Sequence, residues 1–532
     1  MLLGRTTTTL TTLALLGALT LTGCTGGEDQ SSDPAVSEDR GIDAQDYVDE
    51  YDEYSSGDTA AASGGNTGAS PSSAQDDGDQ EPGLLDDNTF VDHGTAGYTD
   101  TSEDPESTFG LDVDTGSYSV ARTLLDQGAA VPPESIRAEE WVNAFTYDDQ
   151  EPTDADLAIT AETGASPSLD DGTELVRVAV SSRKLTEEQR PRLNVTLVVD
   201  RSGSMDVRNR LGLVRSSLAL LANELRDDDV VSVVSFDDQA QSILPPTRVE
   251  DTDAILGAVD ELVAGNSTNL EAGIRLGYEQ ARESFIDDGV NVVVLCSDGV
   301  ANVGQTGPDS IVGRIKEEGA NGIHLVTVGF GMGNYNDYLM EQLADLGDGF
   351  YSYVDTFEEA ERLFGTELTT TMVPVASEAR TQVAFDPEVV ESYRLIGYEN
   401  RAIADEDFED MSVDAGELGP GHHTTALYEV RLADGVGPGD RIGSAALRWL
   451  DPEGEEQADE ADIRAAVEDV PSASFALAAT VADTAELLKG TDPVAGRGLT
   501  LAALAARAED LVEAGVPGAD ELRDQIAAAE RA

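Results

Sequence analysis

The run Val195-Thr196-Leu197-Val198-Val199 leads straight into Asp200-Arg201-Ser202-Gly203-Ser204-Met205, and this junction decides the fold. Five consecutive apolar or β-branched residues are what a central strand covered on both faces requires. The oxygen-bearing side chains that follow at every second position then stand at the strand's carboxyl end, where open α/β sheets bind ligands. Val230 to Val234, Val290 to Cys296 and Ile323 to Val328 are further runs of the same kind. Between them Leu211, Val214, Leu218, Leu221 and Leu225 recur at helical spacing, as do Ile274, Tyr278, Ala281 and Phe285. A doubly wound α/β unit over 191–376 is therefore expected.

Two more oxygen donors fall at corresponding edge positions: Thr268 in Gly265-Asn266-Ser267-Thr268-Asn269-Leu270, and Asp298 in Leu295-Cys296-Ser297-Asp298-Gly299. Asp200, Ser202, Ser204, Thr268 and Asp298 together offer carboxylates and hydroxyls, with no nitrogen or sulfur. Such a donor set suits Mg²⁺, with Mn²⁺ or Ca²⁺ as alternatives, in preference to Zn²⁺ or Cu²⁺. Five protein groups leave a coordination position open for a ligand. D-x-S-x-S alone is a common turn and N-cap pattern, because its side chains satisfy free backbone donors. Its coincidence with Thr268 and Asp298, each at the sheet edge, is what points to a metal.

The order D-x-S-x-S, then Thr, then Asp resembles the metal-ion-dependent adhesion site (MIDAS) of von Willebrand factor type A (VWA) domains, whose fold is a Rossmann-like doubly wound sheet. The resemblance implies Ser202, Ser204 and Thr268 as direct or switching ligands, with Asp200 and Asp298 close by or bound through water. It extends outward. Ser107 to Tyr118 (STFGLDVDTGSY) and Arg137 to Phe145 (RAEEWVNAF) on one side, with Arg394 to Arg401 (RLIGYENR), Val413 to Glu417 and Thr425 to Val430 (TALYEV) on the other, are similar to bacterial YfbK-type lipoproteins. That resemblance implies a surface or periplasmic binding protein with a mostly unknown ligand.

At the N-terminus Arg5 precedes an apolar run from Leu10 to Leu21 that is too short for a permanent span, and it closes on Leu21-Thr22-Gly23-Cys24. Residues 1–23 read as a signal peptide ending in a lipobox, with Cys24 as the lipidated residue, which would hold the protein on the extracytoplasmic face of the cell membrane. Residues 24–104, rich in Ser, Gly, Asp, Glu and Ala, read as a disordered acidic tether. With Cys24 lipidated, Cys296 has no intramolecular partner and is expected as a buried thiol.

Asp plus Glu number 105 against 32 Lys plus Arg, for a net charge of −73, which argues against nucleic acid as a partner. Four scattered histidines and two cysteines exclude a His-built site or a Cys-rich zinc module. The flanks, 105–190 and 377–455, carry period-two strand patterns on both sides of the α/β unit, so a β-sandwich built from both is expected, with the VWA unit inserted. Residues 456–532 read as helical, with Ala-rich helices from Phe475 to Leu488 and from Leu499 to Ala514. Gly329-Phe330-Gly331-Met332-Gly333-Asn334 lacks the last glycine of a dinucleotide-binding loop, and His324 sits inside a strand, away from Ser202 and Ser204. The function expected is not enzymatic: the open metal position captures a protein partner that presents a carboxylate. The alternative is an architectural part of a cell-envelope assembly.

Overall fold

The computed structural model describes residues 40, 42–49, 51 and 90–532, apart from residues 112, 153–154, 170, 187–188, 266, 299–307, 332–335, 368–371, 414 and 468–470 and the side chains of 308–310 and 366–367. The signal sequence 1–23, Cys24 and most of the tether lie outside the described residues, as do Asp112, Asn266, Gly299 and the 332–334 part of the glycine loop.

Before the central unit come α1 (Gln45–Asp49), β1 (Thr99–Asp100), β2 (Glu106–Gly110), α2 (Gly116–Asp126), α3 (Ala138–Asn143), β3 (Leu157–Ala165) and β4 (Glu174–Ser182). The central unit comprises β5 (Leu193–Asp200), α4 (Leu213–Glu224), β6 (Val230–Phe236), β7 (Ala240–Arg248), α5 (Thr252–Asp260), α6 (Leu270–Glu283), β8 (Val290–Ser297), α7 (Pro308–Gly319), β9 (Ile323–Phe330), α8 (Asp337–Asp345), β10 (Tyr351–Val354) and α9 (Phe357–Arg362). After it follow β11 (Ala376–Phe385), β12 (Val390–Ile396), β13 (Ala402–Ile403), β14 (Gly416–Leu418), β15 (His423–Leu432), β16 (Arg441–Leu450) and β17 (Glu456–Arg464), then helices α10 (Ala473–Lys489), α11 (Leu501–Glu513) and α12 (Ala519–Ala529).

Every residue of β5 is buried, because the strand sits mid-sheet in the order β10-β9-β8-β5-β6-β7 with helices on both faces. Side chains alternate across it: Val195, Leu197 and Val199 join α4 and α5 in one core, while Val198 joins α6, α7 and α8 in the other. Strands β10, β9, β8, β5 and β6 are parallel, and β7 closes one edge antiparallel to β6. Strand β5 pairs with β6 on one side and β8 on the other, so the order reverses between β5 and β8. Phe285 departs from the expected helical face. Helix α6 ends at Glu283, and Phe285 is exposed in the following turn.

The flanks form the sandwich expected of them. One sheet runs β1-β12-β15-β4-β3 and the other β13-β2-β11-β16-β17, and their facing side chains, including Phe109, Val178, Val383, Tyr428 and Leu447, share one core. A third layer, α10 to α12 with α2 and α3, covers the first sheet through Leu175, Ile396 and Leu427.

Two sequence readings are corrected, and a third gains detail. The 105–190 flank, read as β-rich, also holds α2 and α3, whose Tyr118, Ala121, Trp141 and Val142 are buried in the core of α10 to α12 while Val120 and Leu124 join the core of the central unit. The boundary at 455/456 cuts the β16–β17 hairpin: β17 is a strand, and its run Glu456-Gln457-Ala458-Asp459-Glu460 hides the period because it is an acidic, solvent-facing sheet edge. Within the segment 24–104 read as a disordered tether, the described residues 42–49 include α1, and β1 pairs with β12.

Candidate functional site

Asp200 is the last residue of β5, and Asp298 directly follows β8, so the two carboxylates flank the reversal point of the sheet. Both are fully buried. Asp200 Oδ1 accepts the Ser202 backbone N–H at 2.8 Å, and its Oδ2 accepts the Ser297 hydroxyl at 2.7 Å. Burial pushes the Asp200 carboxyl up to about 7, and the nearby charge of Asp298 adds to the rise. Two buried carboxylates that raise one another call for a positive charge between or beside them.

The loop after β5 is a tight turn. Met205 N–H donates to the Ser202 carbonyl at 3.0 Å, and the Met205 side chain is buried in the α4 core. This turn brings the Ser202 and Ser204 hydroxyls to 3.0 Å from each other. Thr268 precedes Asn269, which caps α6 by accepting the Ala272 N–H at 3.1 Å. The Thr268 loop is fastened to its neighbours: Gly265 N–H donates to the Arg201 carbonyl at 2.5 Å, and Asn269 N–H to the Asp237 carbonyl at 2.6 Å. Arg201 in turn pairs with Asp237 at 2.7 Å. All five residues singled out from sequence thus stand at one end of the sheet.

Sequence reasoning missed Arg210, the positive charge actually present. It lies in a π-helical turn, Arg208–Gly212, that leads into α4, and its Nη1 donates to the Ser204 carbonyl at 2.7 Å and to Asp298 Oδ2 at 3.0 Å. Gly331 makes room for it. At φ +74°, a Cβ there would lie 2.5 Å from Arg210 Cγ. Nothing local signals this contact, because Arg210 and Asp298 are 88 residues apart. Ser297 stood beside Asp298 in the sequence, but its partner Asp200 is on another strand. Cys296 is buried and free, and burial drives its thiol well above the ordinary range. His324 lies near the start of β9, at the far end of that strand from the site, and its Nδ1 is 3.0 Å from the Asp348 carbonyl. Among the described residues, no three His, Cys, Asp or Glu side chains converge as a metal cage.

Comparisons with known proteins bear on the family of the chain. Family models described as von Willebrand factor type A domain, as YfbK, C-terminal, and as von Willebrand factor match residues 194–366, 370–465 and 85–177. The uncharacterized protein YfbK of Escherichia coli (strain K12) is 35% identical over 417 residues, covering 74% of this chain and 72% of that protein. The chain belongs to the YfbK family. Its VWA domain is the α/β unit between the two sandwich flanks. The uncharacterized protein sll0103 of Synechocystis is 31% identical over 36% of this chain and 44% of its own length. Among solved structures, a von Willebrand factor type A protein from Catenulispora acidiphila aligns over 71% of this chain and 91% of its own, at 16% identity and a TM-score of 0.41. A VWA domain suggests a role in protein interaction or adhesion. Among the described residues no helix is long and apolar enough to cross a membrane.

Proposed function

We propose that this YfbK-family protein is a membrane-anchored, extracytoplasmic binding protein, not an enzyme, that captures a protein partner through a divalent cation on its VWA domain. Asp200, Ser202, Ser204, Thr268 and Asp298 would hold the cation, and once bound it supplies an open position for a partner's carboxylate. The observation that carries the reading is the pair of buried carboxylates, Asp200 and Asp298, set beside two touching hydroxyls at the reversal point of the sheet. The residues themselves orient the donors. Ser297 and the Ser202 N–H fix both oxygens of Asp200, and the Gly265 and Asn269 amides fix the loop that carries Thr268. Cys24 would supply the anchor.

Capture from envelope extracts with Mg²⁺ and with chelator, by the native chain and by Ser202→Ala, tests this. Loss of the same partner with chelator and with the variant supports it; capture indifferent to both overturns it. The architectural reading rests on a different observation, the clamp of the VWA domain onto its flanks. Arg401 bridges Asp114 at 3.1 Å and Asp345 at 2.9 Å, and Arg137 reaches Asp337 at 2.7 Å. It predicts partners retained in chelator.

A further inference from the structure

Arg40, residues 42–49 and Tyr51 lie along α4 from end to end, and they touch the turn that carries Arg210. At the carboxyl end of α4, Arg40 Nη1 donates to the carbonyls of Ala222, Asn223 and Leu225 at 3.0, 3.2 and 2.8 Å, and its Nη2 pairs with Asp227. These carbonyls have no partner within the helix, and a guanidinium also suits the negative end of its dipole. Val48 is buried in the α4 core, with Ile42, Tyr47 and Tyr51 against it. At the other end, Asp49 pairs with Arg208, and Tyr51 Oη donates to Asp206 Oδ1 at 3.1 Å. Gly212 permits the approach: a Cβ there would meet the Tyr51 ring at 3.2 Å.

The strap therefore fixes residues 206, 208 and 212, on both sides of Arg210. Arg210 delivers its charge to Asp298, the carboxylate proposed to serve the cation. A guanidinium and a divalent cation on one buried carboxylate repel each other. We propose that residues 40–51 form an intramolecular strap that holds Arg210 on Asp298, so that strap docking and cation capture oppose each other; this rests on the metal reading above. The π-helical form of the 208–212 turn is consistent with such a role, since π-turns within helices are frequent at functional sites. The strap's helix has five residues, too few to persist alone, and a cavity of about 410 Å³ remains beside Val48, Asp49, Arg208 and Phe357.

Linkage is reciprocal, so both directions can be read in the full chain. Amide hydrogen exchange over 42–49 should accelerate as Mg²⁺ is added. Calorimetry should show Mg²⁺ binding tightened at least about fivefold by Arg40→Ala with Val48→Ser. Tyr51→Phe, which removes one hydroxyl and leaves the apolar contacts, should shift both readouts less and in the same direction. Exchange showing the strap loosened while Mg²⁺ affinity is unchanged or weaker overturns the inference and leaves the metal site standing. Absence of Mg²⁺ binding to native and variant chains alike overturns the metal reading, and the inference with it.

Discussion

The Ser297 hydroxyl donates to Asp200 Oδ2 at 2.7 Å, linking the ends of β8 and β5 where the strand order reverses. Because the Ser202 N–H occupies the other oxygen, Asp200 has its rotamer set by two contacts before any ligand arrives. Removing such an orienting contact lowers metal affinity by about 10-fold or more in comparable sites. Ser297→Ala should therefore weaken Mg²⁺ binding by about 10-fold with the thermal transition intact, whereas Asp298→Ala should abolish it. Calorimetry with Mg²⁺, Mn²⁺ and Zn²⁺ checks both the site and the ion. Zn²⁺ binding far more tightly than Mg²⁺ at neutral pH would remove the all-oxygen assignment.

Acid stability should depend on Glu429. Burial acts to raise its carboxyl, yet Arg497, Arg394 and Tyr98 hold it down, to about 2 against an ordinary 4.5. Its oxygens accept Arg497 at 2.5 and 2.8 Å, Arg394 at 3.1 Å and the Tyr98 hydroxyl at 2.6 Å, while Arg394 also forks onto Glu486 of α10. A depressed carboxylate stabilises the fold above the unfolded-state value, and that contribution disappears as pH falls through the folded value. The shift corresponds to about 3 kcal/mol, present at neutral pH and lost between roughly pH 4.5 and 2. Urea unfolding of the native chain and of Glu429→Gln should thus differ at pH 7 and converge as the pH approaches 2. A gap independent of pH would mean that the network acts through packing alone.

The α/β unit was legible because its strands are apolar throughout and its helices keep a 3.6 period: Leu211, Val214, Leu218, Leu221 and Leu225 all proved buried. The placement of its five candidate residues at one end of the sheet was legible because open sheets gather strand ends at one edge. Elements whose residues face solvent or close long loops were not. Strand β17 is acidic with only Ile463 buried, and β7 buries only Leu244, so neither shows a buried face to read. Segment 40–51 lies in an acidic, low-complexity context, and its order comes from α4, about 180 residues away, through contacts such as Arg40 to Ala222. Arg210 on Asp298 was hidden for the same reason: a long-range ion pair leaves no local periodicity.

Anchoring is tested at Cys24, which lies outside the described residues. Its lipobox context, Leu21-Thr22-Gly23-Cys24, predicts that Cys24→Ser moves the protein from the membrane fraction to the soluble one. The unfolding transition should not change, since the cores among the described residues are built by residues 42 onward. Equal retention of the variant would assign the anchor to the apolar 10–21 run itself or to a partner.

Partner capture should separate long-range from short-range electrostatics. At a net charge of −73, the chain repels an acidic partner across a Debye length of about 10 Å at 0.1 M salt, so association should be slow at low ionic strength and faster as salt screens the field. The contact at the sheet edge forms only after docking and should govern dissociation. Thr268→Ala, in a loop held by the Asn269 and Gly265 amides, should then raise the off-rate by about tenfold while leaving the salt dependence of the on-rate nearly unchanged. Surface-binding kinetics at two salt concentrations, with and without chelator, resolve both halves. Association accelerated by low salt would mean a basic partner face. Dissociation indifferent to chelator and to Thr268→Ala would detach capture from the metal site and favour the clamp between the VWA domain and its flanks as the purpose of the fold.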